Sequence, residues 1–356
     1  MQFTLFVGTD HALAQYEVEA QIKDSVQIDP GIYQFSSASI ETAINQVSKL
    51  GCAIKLLSEI SIWEDDPKIL EPLITTPNYS ITQIPLNSTQ NAVLNNTVKE
   101  ILGNKFRYLL AKDNMGLSPI VLNKQHVTEF LIYKNNLLKT IWVHDVTHWI
   151  NKDRNLPRVN SRAGMLPPKV ARMLINMAGI ASNPDKKLLD PFCGSGHVVI
   201  EGVELGFFTI GSDLSANQIE DTKANLDSLG IGSQNYQLVL SDASKLSQHL
   251  NPSSIDLIVT EPFMGRPDTR SDRIPDMVKG LKKMYLGALK SWLSLLKPAG
   301  VVVMVFPRVT DGKRSFVTSS IIDDPHLLGY NVKTRDILYS REGAKLQREI
   351  VILQKF

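Results

Sequence analysis

The chain has 356 residues, 43% of them hydrophobic and 21% charged, with a formal net charge of +2. That balance describes a folded globular protein of about two average domains and excludes extensive disorder. Near neutrality confines any nucleic-acid surface to a local patch. Two cysteines, Cys52 and Cys193, offer no zinc cluster and suit a reducing cytoplasm. The opening MQFTLFVGTDH lacks a basic n-region and reaches Asp10 too soon for a signal peptide. No apolar run of roughly 18 residues suggests a membrane span.

Residues 1–145 read as a separate region of mixed strands and helices. Residues 3–8 alternate like a strand, 53–62 and 81–86 read as strands, and 105–110 and 117–122 are candidate strands. Helices are expected over 12–22, 39–50 and 91–102; in the second, Ile40, Ala43, Ile44, Val47 and Leu50 share one face. Residues 127–143 predict a hairpin around Lys134, Asn135 and Asn136. No catalytic chemistry is visible here, and Trp63, Trp142 and Trp149 read as packing or interface residues. Residues 146–163 read as a basic linker in which Pro157 limits helix. Its Lys152, Arg154, Arg158 and Arg162 fit either a solvated connector or RNA phosphate contacts.

The second domain, 164–356, opens with Pro167 and Pro168 at the start of a helix whose Val170, Leu174 and Met177 face one side. A short buried strand through Leu188 and Leu189 then runs into Asp190-Pro191-Phe192-Cys193-Gly194-Ser195-Gly196. Gly194 and Gly196 allow a close backbone approach to a ligand. A helix over 197–205 ends at Gly206, and a strand from 207 finishes at Asp213. Further on, a helix is expected over 217–229, strands over 236–240 and 255–260, a helix over 277–296 and a strand over 301–306. Strands over 330–339 and 349–356 close the chain as a hairpin. Alternating strands and helices imply a mostly parallel sheet.

Asp213 lies about 20 residues after the glycine turn, where a doubly wound fold binds a ribose. A nicotinamide fingerprint would need glycine or alanine where Val199 stands. It would also place no acid like Asp190 beside a pyrophosphate. An acid there suits a ligand with a cationic amino-acid end. The DPFCGSG string therefore resembles the first motif of S-adenosylmethionine-dependent methyltransferases, in the variant found where exocyclic amino groups are methylated. On that resemblance the cofactor residues are Asp190 for the methionine ammonium, Phe192, Gly194, Ser195 and Gly196 of the turn, Asp213 with Leu214 for the ribose, and Asp242 with Ala243 for adenine. His197 reads as a helix-start residue and Cys193 as a small spacer.

Strand 255–260 ends in Thr260-Glu261-Pro262-Phe263-Met264-Gly265, which resembles the Asp/Asn-Pro-Pro-aromatic motif of amino methyltransferases. An aromatic amine is a poor nucleophile because its lone pair enters the ring. Acceptors for its two N–H bonds, here Glu261 and the Pro262 carbonyl, would localise that pair. Phe263 would stack on a base drawn out of its helix. Glu261 replaces the shorter acid or amide and shifts the carboxylate by roughly 1.5 Å. Phe263 and Met264 replace the second proline and the aromatic.

Lys152 to Arg158 (KDRNLPR), Gly164 to Lys169 (GMLPPK) and Asp190 to Gly196 together resemble the tRNA guanine-N2 methyltransferase family that modifies guanosine 10. The resemblance implies a class I (Rossmann-like) methyltransferase domain with a mostly parallel seven-stranded sheet. Before it would come a smaller α+β RNA-binding region of THUMP and ferredoxin-like type, for which Phe6-Val7-Gly8-Thr9 suits the start. It also implies a cytoplasmic tRNA enzyme, a monomer or weak dimer, with a small activating partner left open. No metal is expected. Arg154, Arg158, Arg162, Lys169, Arg266 and Arg270 are the RNA-binding candidates; Asp268 and Asp272 offset the loop that carries the last two and Arg273. One rival reading is an N6-adenine or N4-cytosine methyltransferase, although no target-recognition region of a DNA enzyme is seen. The other is a catalytically silent RNA-binding protein that keeps the fold.

Overall fold

A computed structural model of the chain describes residues 1–356 apart from 9, 112, 159–165, 267–268, 311–313, 325–326, 328, 341–343 and 345, with the backbone alone at 104. It divides into two compact units, Met1–Ile150 and Asn151–Phe356.

In the first unit β1 (Gln2–Val7), β2 (Val26–Asp29), β3 (Ile32–Ser36), β4 (Ala53–Ile62), β5 (Asn78–Ile84), β6 (Arg107–Tyr108), β7 (Val127–Tyr133) and β8 (Asn136–Val143) form one sheet. Its order is β2-β3-β1-β4-β8-β7-β5-β6. Helices α1 (His11–Gln21), α2 (Ile40–Val47), α3 (Ser88–Leu102) and α4 (Pro119–Gln125) accompany it. The expected hairpin is present, with Lys134 and Asn135 at φ 48° and 65°. The strand expected over 117–122 is instead α4. Ser118 Oγ accepts the Val121 N–H at 3.4 Å and Pro119 occupies the first turn, so local capping overrides the apolar pattern of Ile120-Val121-Leu122. The β2–β3 hairpin was not expected, because β2 alternates over only four residues and is mostly exposed. Across the middle of the sheet, buried Lys55 and Glu129 pair at 3.0 Å.

The segment expected as a linker contains α5 (Val146–Arg154). Asp145 Oδ1 accepts the N–H groups of Thr147 and His148 at 2.8 and 3.1 Å and starts the helix, while Pro157 lies beyond its end. Lys152 is buried rather than part of a basic surface. It pairs with Glu201 at 2.6 Å and Glu204 at 2.8 Å, and Arg172 meets the same two carboxylates.

The second unit is a class I methyltransferase fold. β9 (Lys187–Asp190), β10 (Phe208–Asp213), β11 (Tyr236–Leu240), β12 (Ile255–Thr260), β13 (Leu296–Thr310), β14 (Ser315–Val317), β15 (Tyr330–Tyr339) and β16 (Leu346–Lys355) make the sheet, in order β11-β10-β9-β12-β13-β16-β15. The first five strands of that order pair in parallel, and β16 runs antiparallel between β13 and β15. Seven strands were expected; β14 adds a short antiparallel eighth on β13. Helices α6 (Pro168–Met177), α7 (His197–Leu205), α8 (Ala216–Ser228) and α9 (Ile274–Leu295) complete it. Every residue of β12 is buried, including Asp256, whose carboxylate pairs with Lys186 at 3.0 Å and Lys297 at 2.7 Å. Two glycines bring α7 close to the sheet. A Cβ on Gly202 would lie 2.7 Å from Thr209 Oγ1, and one on Gly211 would lie 2.8 Å from Val199 Cγ2. Among the described residues no helix is long and apolar enough to cross a membrane, and no group of His, Cys, Asp or Glu could hold a metal ion.

Candidate active site

Strand order reverses between β9 and β12, so the connections that follow them leave in opposite directions and open a crevice beyond the strand ends. A cleft of about 1070 Å³ occupies it. Its walls include Phe192, Gly194 and Ser195 after β9, Asp213 and Leu214 at the end of β10, and Asp242 and Ala243 after β11. Glu261, Pro262, Phe263 and Arg266 follow β12 on the same cleft. Four strand ends thus bring most of the cofactor and catalytic residues named from sequence onto one surface.

Two of the named residues lie behind that surface. Asp190 is 2% exposed; its Oδ1 accepts the Thr260 hydroxyl at 2.7 Å and the Phe192 N–H at 3.2 Å. Burial pushes its carboxyl up to about 7, with the charges of Asp213 and Glu261 adding to the rise and the two hydrogen bonds opposing it. Gly196, at φ 92°, starts α7; a Cβ there would meet Thr222 Cγ2 at 2.7 Å. Thr222 Oγ1 in turn donates to the Gly194 carbonyl at 2.7 Å, so α8 props the turn from beneath.

Asp213 and Asp242 are oriented by the residues that follow or face them. Asp213 accepts the Gly194 N–H at 3.1 Å through Oδ2 and the Ser215 N–H at 2.9 Å through Oδ1. Asp242 caps a short helical turn, accepting Ser244 N–H and Oγ–H at 2.8 and 2.7 Å; these bonds hold its carboxyl below the ordinary value. Phe192 meets Trp292 edge-on at 6.4 Å.

Glu261 is mostly buried, its side chain 13% exposed, and Arg348 Nε donates to its Oε1 at 2.5 Å. Burial raises its carboxyl above the ordinary value while the Arg348 charge and hydrogen bond oppose that rise. Pro262 is buried. Phe263 is 56% exposed, and its carbonyl accepts the Tyr285 hydroxyl at 2.7 Å. Trp292, also on α9, donates Nε1–H to the Ala243 carbonyl at 3.0 Å. One helix therefore braces the loops after β11 and β12.

Of the RNA candidates, Arg266 lines the cleft, and Arg270 lies exposed beside Asp272. Arg154 and Arg158 have exposed side chains, at 3.6 Å from Asp153 and Asp221 respectively, and Lys169 is half-buried on α6. Arg162, with Gly164 and Met165 of the GMLPPK string, falls outside the described residues. His197 is buried at the start of α7, its Nδ1 2.7 Å from the Leu166 carbonyl oxygen, and burial lowers its pKa. Burial pushes the Cys193 thiol up, which disfavours a thiolate.

Sequence reading missed Arg348, Gln218, Lys283 and Met284, all on the cleft wall. Arg348 sits on a terminal strand with no local motif. For α9 a signal exists: Gly280 and Gly287, seven residues apart within an amphipathic helix, both face the cleft.

Residues 182–327 match a family model described as "Methyltransferase domain". The chain is 30% identical over 148 residues to a tRNA (guanine(10)-N2)-dimethyltransferase of Methanothermobacter thermautotrophicus, covering 42% of this chain and 40% of that one. It is 30% identical over 116 residues to a protein of Methanothermococcus thermolithotrophicus named Probable tRNA (guanine(10)-N2)-dimethyltransferase, covering 32% of this chain and 70% of the other. The chain spans about half, or less, of the length of the first archaeal relatives it matches. The fold is also that of TrmN from Thermus thermophilus, at TM-score 0.57 and 16% identity over the whole of both chains. The chain belongs to the tRNA guanine-N2 methyltransferase family.

Proposed function

We propose that the chain is an S-adenosylmethionine-dependent methyltransferase acting on the exocyclic N2 amino group of guanosine 10 in tRNA. The observation that carries the reading is the single cleft shared by Asp213, Asp242 and the Glu261-Pro262-Phe263 turn.

The residues fit the cofactor. The Gly194 turn leaves room that side chains would fill. Asp213 keeps lone pairs for two ribose hydroxyls beyond its two backbone bonds, and Asp242 bonds Ser244 through Oδ1 alone. Asp190, directly before the wall residue Pro191, supplies negative charge for the methionine ammonium. The bound cofactor supplies an electrophilic methyl group. Glu261 and the Pro262 carbonyl accept the two N–H bonds of the amine and turn its lone pair toward that methyl. Exposed Phe263 stacks on the base. Glu261 also offers an acceptor for the proton released once nitrogen is alkylated.

Arg266 on the cleft rim and Arg270 beyond it offer cations for phosphates, as do the exposed Arg154 and Arg158, with Lys169 alongside. The first unit is read as the RNA-binding region, with tRNA the partner and the cytoplasm the compartment.

Single-turnover transfer to unmodified tRNA, at saturating cofactor, tests the role of Glu261. Glu261→Ala is expected to lower the rate by at least 100-fold, with the S-adenosylhomocysteine Kd within threefold of the parent. An unchanged rate would overturn this mechanism.

A further inference from the structure

Glu261 and Arg348 come from different strand ends, β12 and β16, yet meet on the cleft wall beside Phe263. Their side chains are 13% and 18% exposed, so the pair is largely desolvated and its geometry is fixed. Such a pair has a definite hydrogen-bonding sequence along its edge. The two carboxylate oxygens accept, and the guanidinium fork beyond them donates. The order is acceptor, acceptor, donor.

The Watson–Crick edge of guanine reads donor at N2, donor at N1 and acceptor at O6. Adenine offers an acceptor at N1 where guanine has a donor, and cytosine likewise carries an acceptor at N3 beside its amine. Building on the methyltransferase reading above, we propose that Glu261 and Arg348 together form the guanine-reading edge of the site. Glu261 accepts from N2–H and N1–H, and the Arg348 guanidinium donates to O6. The carboxylate that activates the amine thus also rejects bases with a lone pair at the adjacent ring nitrogen. Arg348 orders Glu261, opposes the effect of burial on its charge, and completes the match. A shorter acid after β12 would sit farther from this partner, which gives a reason for glutamate at this position.

The test uses the full chain and tRNA transcripts carrying guanine or 2-aminopurine at the modified position. 2-Aminopurine keeps the 2-amino group but has an acceptor at N1 and no O6. The wild type is expected to prefer guanine by at least 100-fold in kcat/KM, since a site built to hydrogen-bond a group rejects analogues that lack it. Arg348→Met is expected to reduce that preference at least tenfold, slowing transfer to guanine far more than to 2-aminopurine, and Arg348→Lys to restore part of it. S-Adenosylhomocysteine binding reports whether each variant is folded.

A wild type that methylates both bases equally overturns the reading edge and leaves the methyltransferase assignment standing. So does Arg348→Met slowing both substrates in proportion, or both Arg348 variants losing the fold. Transfer only to adenine or cytosine amines overturns both proposals together.

Discussion

The hydroxyl of Thr260, the last residue of β12, donates at 2.7 Å to Oδ1 of Asp190, the last residue of β9. The bond ties the strand end that leads into the Glu261 turn to the strand end that leads into the glycine turn. Both groups are buried, so breaking the bond leaves Asp190 short of a partner that favours its charged form. Thr260→Val keeps the shape and removes the donor. It is expected to lower stability by about 1–3 kcal/mol and to weaken cofactor binding, read by chemical denaturation and by titration with S-adenosylhomocysteine. Unchanged values in both would show that the bond couples nothing.

Asp190 sets a pH dependence whose sign follows from its position. Its carboxyl is pushed up to about 7 from an ordinary 3.8. Between those values the folded chain keeps a proton that the unfolded chain has lost. This group's contribution to stability therefore falls as pH rises through that window and is level above about 7. Relative to Asp190→Asn, the wild type should lose stability from about pH 4 to pH 7. A ligand ammonium favours the carboxylate, so cofactor binding should release a proton. Affinity should then rise as pH climbs toward about 7, by up to tenfold per unit, and level off beyond. Binding of equal strength at pH 5.5 and 7.5 (titration conditions, ~pH values bracketing that carboxyl) would contradict the assignment.

The prop beneath the glycine turn should show as an energetic coupling. Gly196→Ala places a methyl 2.7 Å from Thr222 Cγ2 at a φ of 92°. A loss of about 1–3 kcal/mol is expected. Thr222→Ser removes the methyl that is struck and keeps the hydroxyl that donates to Gly194. The double variant should be more stable than the sum of the two single losses predicts, as measured by a thermodynamic cycle. Strict additivity would mean that φ alone sets the cost.

Phe263 offers the sharpest separation of function from stability. A side chain 56% exposed on a cleft wall contributes little to the core. Phe263→Ala should leave the denaturation midpoint nearly unchanged. Loss of base stacking, about 1–3 kcal/mol per base, should lower kcat/KM for tRNA roughly 5- to 150-fold by the same arithmetic. Parallel losses of stability and activity would point to packing instead.

The site was legible where chemistry is written locally. Asp190 through Gly196 and Glu261 through Phe263 each sit at a strand end whose buried apolar run, Leu188-Leu189 or Leu257-Ile258-Val259, is visible in the chain, so topology alone brings them together. Arg348 is 87 residues from Glu261, and only the antiparallel pairing of β16 with β13 brings it to the cleft. No local pattern encodes that meeting. Lys152 failed differently: a lysine among Asp153, Arg154 and Arg158 reads as surface, yet Glu201 and Glu204 of α7 neutralise it in the interior. At residues 117–122 the apolar run Ile120-Val121-Leu122 and the capping signal conflicted, and the Ser118-Pro119 cap prevailed.

The most direct test of the central claim is nucleoside mass spectrometry of unmodified tRNA transcripts after incubation with the protein and labelled S-adenosylmethionine. N2-methylguanosine in the product, absent when guanosine 10 is replaced, is the predicted result. Label in adenosine or cytidine, or cofactor binding with no transfer to any transcript, would contradict it.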